Sequence, residues 1–469
     1  MEKSIIDEEL SSELLKTALK NGGEYADVYF EDRCPLSIAV EDNKVEKIIS
    51  GIDKGVGIRV LFGGKTAYAY TNDLTLKSLK ECAIGVSKAV KGSSSKISEG
   101  GAIDLRRLRP KVDFVIKKLP SSISMDEKLA LVTNANTVAR GVADKKIRQV
   151  SIIYKDISQD IIIANSEGVY CTDSRIHTLF LVNVIAADGD IVQTGYEVAG
   201  GFIGFELFDE KNVEDIARTA SDRAIKMLYA RKIKGGAMPV VISSEAGGTM
   251  IHEAIGHGLE ADLAQQGLSV YSGKKGQKIA SELITVIDDG TIAGNRGSLR
   301  FDDEGTIAAK NILVKDGILT AYMYDRLTAL KDGVVSTGNG RRESYHHKPI
   351  PRMTNTYLAS GKHIPEDIIK SVQKGLFVKK MGGGQVNTVT GDFVFEVSLG
   401  YEIKDGVIGD MVRGATLSGN GPEILNSIDM IGSDLGFAIG TCGKDGQGAP
   451  VSDAMPTVRI PKIVVGGEV

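Results

Sequence analysis

The chain has 469 residues, 42% hydrophobic and 25% charged, with a formal net charge of −4. That is the balance of a globular protein with two to four structural units and ample core; it excludes nucleic acid as a partner held by bulk charge. No apolar stretch approaches the roughly 18 residues of a membrane span, the acidic start at 1–9 is no signal peptide, and Cys34, Cys82, Cys171 and Cys442 show no paired spacing, so a cytoplasmic chain without membrane contact or disulfide framework is expected.

Residues 7–21 read as an amphipathic helix, with Leu10, Leu14, Leu15 and Ala18 on one side and Gly22-Gly23 as its stop. Strands follow at 25–31, 36–41, 44–50, 55–62 and 66–70, then a helix at 74–91. The Ser-, Gly- and Pro-rich stretch 92–121 reads as a linker. A helix at 124–141, strands at 147–155, 160–165, 170–185 and 191–199, and one long helix at 206–231 complete the first half. The order implies two related α+β halves, about 1–95 and 120–232. The basic connector 232–237 marks the main boundary. A buried strand at 239–242 leads to Ser243 and Ser244, which suit a helix N-cap, with Glu245 favoured at that positive end. A mobile-looking segment at 262–279 reads as a lid or loop by the site. Further strands are expected at 283–287, 306–314, 318–323, 376–380, 392–403 and 407–416. Repeated Lys-Asp-Gly turns point to antiparallel pairing there. The predicted fold is α+β in two domains. Residues 1–232 form an N-terminal domain of α/β layers with mixed or antiparallel sheets. Residues 233–469 form a C-terminal domain rich in antiparallel strands, which carries the metal-site helix.

That helix holds His252-Glu253-Ala254-Ile255-Gly256-His257, with two of the six histidines in the chain. Imidazoles suit a divalent transition metal, and a neighbouring Glu can take a proton from activated water. The spacing is one residue longer than His-Glu-x-x-His. Residues five apart diverge by about 140° on a regular helix, so the pair converges only on a π-bulge or a broken helix, which Gly256 eases. A catalytic zinc site takes a third protein ligand. Cys442, between glycines and near Lys444, which would favour its thiolate, is one candidate; His346 is another, and spacing alone does not choose. The run Gly382-Gly383-Gly384 lacks the ending of a phosphate loop and reads better as backbone left bare for a peptide to add as a strand. In the polar, loop-like stretch 339–347, a His or Tyr such as His346 or Tyr345 could polarise a carbonyl, and solvated loop residues are the plain alternative.

Taken in order, the HExxxH segment with Gly-Leu-Glu-Ala-Asp after it, Arg352-Met353-Thr354-Asn355-Thr356, Met381–Asn387 and Gly440–Lys444 resemble the TldD/PmbA family, also called modulators of DNA gyrase. The resemblance spans essentially the whole chain, strongest over 239–460, on the side of the family's metal-bearing subunit. It implies a zinc-dependent protease acting on short or unfolded peptides; family members process peptide antibiotic precursors and an antitoxin. It also implies His252, His257 and Cys442 as metal ligands and Glu253 as general base. Gly382, Gly383, Gly384 and His346 are the candidate substrate contacts. A homodimer, or a heterodimer with a metal-free sister subunit, is the implied assembly. The alternative is a non-enzymatic regulatory or binding subunit with a structural metal site, closed for instance by His346.

Overall fold

The computed structural model describes residues 6–90, 103–143 and 145–468. Residues 92–102 of the expected linker lie outside this range. The N-terminal part is built on one eight-stranded sheet, whose main path runs Lys65–Thr71, Asp53–Phe62, Tyr25–Glu41, Ile147–Asn165, Val169–Asp188 and Arg106–Arg107. The strands expected at 25–31 and 36–41 are a single strand, Tyr25–Glu41. Its ladder to Asp53–Phe62 ends at Arg33, and its ladder to Lys44–Ser50 begins at Leu36. Pro35 sits in the gap between the two, where a missing N–H breaks no bond on that side. The pieces at 147–155 and 160–165 likewise fuse into Ile147–Asn165, which pairs along Tyr25–Glu41. Strands from both expected halves therefore share one sheet.

Helices cover this sheet in two pairs. Leu14, Leu15 and Ala18 of Glu8–Leu19 and Leu79 and Ala83 of Leu76–Ala89 pack on Val28, Val56, Ile58 and Val60. Val132, Ala135 and Ala139 of Met125–Gly141 and Ala217 and Ala220 of Val213–Leu228 pack on Ile152, Phe180 and Val182. The helix expected at 206–231 is two helices, Leu207–Glu210 and Val213–Leu228. Asn212 divides them, because its side chain accepts the Glu214 N–H at 2.9 Å and starts the second as an N-cap.

In the C-terminal part, Lys374–Val386, Gly236–Ile242, Val458–Gly466, Thr416–Asn420 and Asp392–Lys404 pair in a closed ring, a five-stranded barrel. A six-stranded sheet stands beside it and ends with Asn355–Leu358, Gln447–Met455 and, at its edge, Gly436–Lys444. The barrel and this edge strand hold the candidate site between them.

A buried ionic seam joins the two parts. The tight turn bridged at Phe301 and Ile307 presents Asp303 and Glu304 to the first sheet, while buried Asp302 accepts the Glu304 and Thr306 N–H groups and holds the turn itself. Arg59, 1% exposed, lies 2.6 Å from Glu304 and donates to Asp27 at 2.7 Å. Arg175 reaches Asp303 at 2.6 Å. Stripping one partner from such a buried pair costs about 3–5 kcal/mol, so the seam penalises any sliding of the two parts. Among the described residues no helix is long and apolar enough to cross a membrane.

Candidate metal centre

The site begins where the barrel strand Gly236–Ile242 ends, with Val240, Val241 and Ile242 fully buried. Ser243 does act as a cap, but for the three-residue turn Ser244–Ala246 and not for the histidine helix. Gly247 follows at φ +72°, and a Cβ there would stand 2.3 Å from Ala438 Cβ. The histidine segment then runs as one α-turn, Thr249–Ile251, a π-turn, His252–Gly256, and a 3-10 turn, His257–Leu259. The His257 N–H donates to the His252 carbonyl, the i→i+5 bond that the spacing demands. Gly256 is also required sterically: a Cβ there would meet Met353 Sδ at 2.3 Å.

The wide turn brings the two rings to 4.9 Å between centroids, at 87° to each other. Cys442, from the edge strand Gly436–Lys444, places Sγ 3.3 Å from His252 Nε2 and 3.4 Å from His257 Nε2. All three donor atoms lie within 4.8 Å of one another. Nitrogen and sulfur ligands about 2.0–2.3 Å from a tetrahedral zinc stand roughly 3.3–3.6 Å apart, and both sulfur–nitrogen distances here match that spacing. Each imidazole has a carboxylate behind its other nitrogen. Glu260 Oε2 is 3.0 Å from His257 Nδ1, and Asp453 Oδ2 is 3.8 Å from His252 Nδ1. The Glu260 hydrogen bond fixes the His257 tautomer that presents Nε2 to a metal, whereas Asp453 faces His252 from beyond hydrogen-bond range.

The electrostatics agree with a thiolate. Burial opposes the charged sulfur, yet hydrogen bonding and charge from His252 and His257 outweigh it and hold the Cys442 thiol at about 5. Burial also opposes protonation of His257, but Glu260 and Cys442 raise it well above its ordinary value. Glu260, fully buried, is brought down to about 2 by Lys444 and His257. Lys444 does not act on the sulfur as the sequence implied; its ammonium turns to Glu260 and Asp262.

A cleft of about 640 Å³ opens over the three donors. Half-buried Glu253 lines it, as do Asp453 and residues 438–444 of the edge strand. The other expected contacts divide. Gly384 lines the cleft, but a Cβ there would strike Phe395 Cδ1 at 1.9 Å, so internal packing already requires this glycine. Gly382 and Gly383 are not in the cleft wall, and a Cβ on Gly383 meets nothing within 4 Å. His346 stands elsewhere, exposed, with its ring 4.0 Å from that of Tyr345 and 4.9 Å from that of Tyr70. Tyr345 is buried and donates to Asp53 at 2.9 Å, so it faces no cleft carbonyl. The segment 262–279 is anchored at its middle, where Ser269 donates to the Gly258 carbonyl at 2.6 Å, Val270 N–H to Thr388 at 2.8 Å and Tyr271 is 1% exposed, while residues 266–268 and 275–278 are exposed. Of that segment, Leu263 lines the cleft. Sequence reasoning missed the roles of Glu260, Asp453 and Lys444. Glu260, three residues after His257, carried a readable signal, because i and i+3 are neighbours on a helical turn.

The depressed thiol has a measurable consequence. In chelator-treated protein, alkylation of Cys442 by iodoacetamide should keep its rate from pH 8 to about pH 6, since the thiolate persists above its pKa. Exposed Cys34, whose thiol is pushed up chiefly by burial, should slow about tenfold per pH unit across that range. Parallel decline of the two rates contradicts the electrostatic account.

Known proteins resemble this chain along nearly its whole length. Profiles of the PmbA/TldA metallopeptidase match in chain order: domain 1 over residues 26–91, the central domain over 118–228 and the C-terminal domain over 235–467. A Haemophilus influenzae protein named metalloprotease TldD homolog is 37% identical over 454 residues, 95% of this chain and 93% of that protein. A Saccharolobus solfataricus protein named zinc metalloprotease TldD homolog is 27% identical over 459 residues, 97% of this chain and 99% of that one. The fold is shared with a Thermotoga maritima protein named for modulation of a DNA gyrase, with TM-score 0.79 and 23% identity, covering 98% of this chain and 100% of that one. TldE from Thermococcus kodakarensis shares it too, with TM-score 0.75 and 18% identity, covering 98% and 100%. The chain belongs to the PmbA/TldA metallopeptidase family.

Proposed function

We propose that this chain is a zinc-dependent peptidase that hydrolyses short or unfolded peptides, with His252, His257 and Cys442 as metal ligands and Glu253 as general base. The observation that carries this reading is the convergence of two imidazoles and one cysteine sulfur on the floor of a cleft whose wall holds the Glu253 side chain. Zinc is favoured by the donor set and by the name of the Saccharolobus relative. When bound, such an ion acidifies water from 15.7 towards about 7 and polarises a carbonyl. Glu253 takes the proton from the attacking water and returns it to the leaving amine, a transfer worth about 10²–10⁴ in rate. Glu260 holds the His257 ring by its Nδ1 side, and the Asp453 carboxylate faces the Nδ1 of His252.

The peptide is read as an extended chain bound through its backbone, with little side-chain preference. The edge strand Gly436–Lys444 pairs on one side with Gln447–Met455 and fronts the cleft over residues 438–444, so it offers a second partner to such a chain beside the glycine run. A structural metal closed by His346 is disfavoured, because that ring lies outside the cleft. Pairing with a second copy or with a TldE-like sister chain, a cytoplasmic location, and a domain division at 232/233 belong to the same reading.

Glu253→Gln should keep its zinc and lose at least about 100-fold in cleavage of an unfolded peptide, and a chelator should abolish cleavage by the parent chain. Cleavage by the variant at the parent rate would take the base role away from Glu253. Gly383→Val should raise KM for the peptide several-fold with zinc content unchanged, measured by steady-state kinetics and metal analysis. Unchanged KM, or loss of zinc, would remove the glycine run from the peptide path.

A further inference from the structure

The cysteine and the histidines reach the site from different sheets, and one side chain ties their supports together. Lys444 follows Cys442 by two residues on the edge strand, so both side chains leave the same face. Its ammonium lies 3.1 Å from Glu260 Oε2, 2.7 Å from Asp262 Oδ1 and 3.0 Å from the Pro351 carbonyl. The same Oε2 of Glu260 faces His257 Nδ1 at 3.0 Å. A continuous chain of contacts therefore runs from the cysteine strand through Lys444 and Glu260 to the His257 ring.

Lys444 also sits in the cleft wall, where a lysine invites the reading of a substrate contact. Its bonding argues against that. A lysine ammonium has three N–H donors, and here three protein oxygens take them. None is left for a peptide carbonyl or carboxylate unless a buried pair breaks, and Glu260 is fully buried.

We propose that Lys444 is a positioning residue: through Glu260 it sets the distance and tautomer of His257 against Cys442, so that the metal centre is held in shape before any peptide arrives. This rests on the ligand assignment proposed above and adds the means by which two separate sheets are kept in register at the site. Partners in this outer position typically contribute about 10–100-fold in metal affinity.

The test uses the full chain, with Lys444→Met, Glu260→Gln and Cys442→Ser compared with the parent. Folding is checked by far-UV circular dichroism, zinc affinity by competition with a chromogenic chelator, and site geometry by the thiolate-to-cobalt absorption of the cobalt-loaded protein. Lys444→Met and Glu260→Gln should each weaken zinc by about 10- to 100-fold and shift or diminish the cobalt band, with KM for peptide unmoved. Glu260→Gln keeps the side chain's size and an oxygen for His257, so it carries the test if Lys444→Met does not fold. Parent-like zinc affinity and cobalt spectrum in a folded variant overturn the proposal. A raised KM with unchanged zinc also overturns it, in favour of a substrate contact. Parent-like affinity in Cys442→Ser refutes the ligand assignment itself, a result distinct from either.

Discussion

One backbone hydrogen bond governs this site, from the His257 N–H to the His252 carbonyl. It widens a single turn, and that widening turns two rings, spaced wrongly for a regular helix, towards one point. The distortion is held by its surroundings. Met353 fills the space a side chain on Gly256 would need, and the Tyr271 hydroxyl donates to the Ala254 carbonyl inside the turn at 3.1 Å. Gly421 packs so closely on that carbonyl that its own Cβ would stand 2.5 Å away. A turn gripped on several sides has little freedom to relax into an ordinary helix, which would part the rings.

The third donor depends on a different set of forces. Cys442 belongs to an edge strand, and edges are mobile unless something fixes them. Here Arg352, fully buried, donates to the carbonyls of Cys442 and Gln447 on the two strands of that hairpin. Asp453, on the neighbouring strand, accepts the Gly248 N–H at 2.9 Å at the start of the histidine turn and faces His252. The segment Arg352–Thr356, conspicuous in the sequence without an assigned task, is thus scaffold: Arg352 holds the cysteine strand, Met353 shapes the turn, and Thr354 and Thr356 bind buried Asp288.

Legibility followed the range of the interactions. The π-turn was readable because a five-residue spacing has few geometric solutions, and Glu253 because it lies beside a ligand in sequence. Cys442 was nameable but not selectable over His346 by spacing, since a pairing across some 190 positions leaves no periodic trace. Asp453 and Lys444 were opaque for the same reason: their partners are brought by sheet pairing. In the fold, strand and helix types were legible from periodicity, while ends failed where a local device intervened. The strand expected in two pieces, 25–31 and 36–41, is continuous, and Pro35 only marks a change of partner strand. One helix is expected over 206–231, yet Asn212 caps a new one inside that span. The glycines at 382–384 were read together as room for a substrate, yet Gly384 is bare because Phe395 needs the space.

The central claim is a metal held by two imidazole nitrogens and one thiolate sulfur. X-ray absorption at the zinc edge of the purified, zinc-loaded chain tests it most directly. The account predicts one sulfur scatterer at about 2.3 Å with nitrogen scatterers at about 2.0–2.1 Å. A shell of nitrogen and oxygen alone, without sulfur, would contradict it.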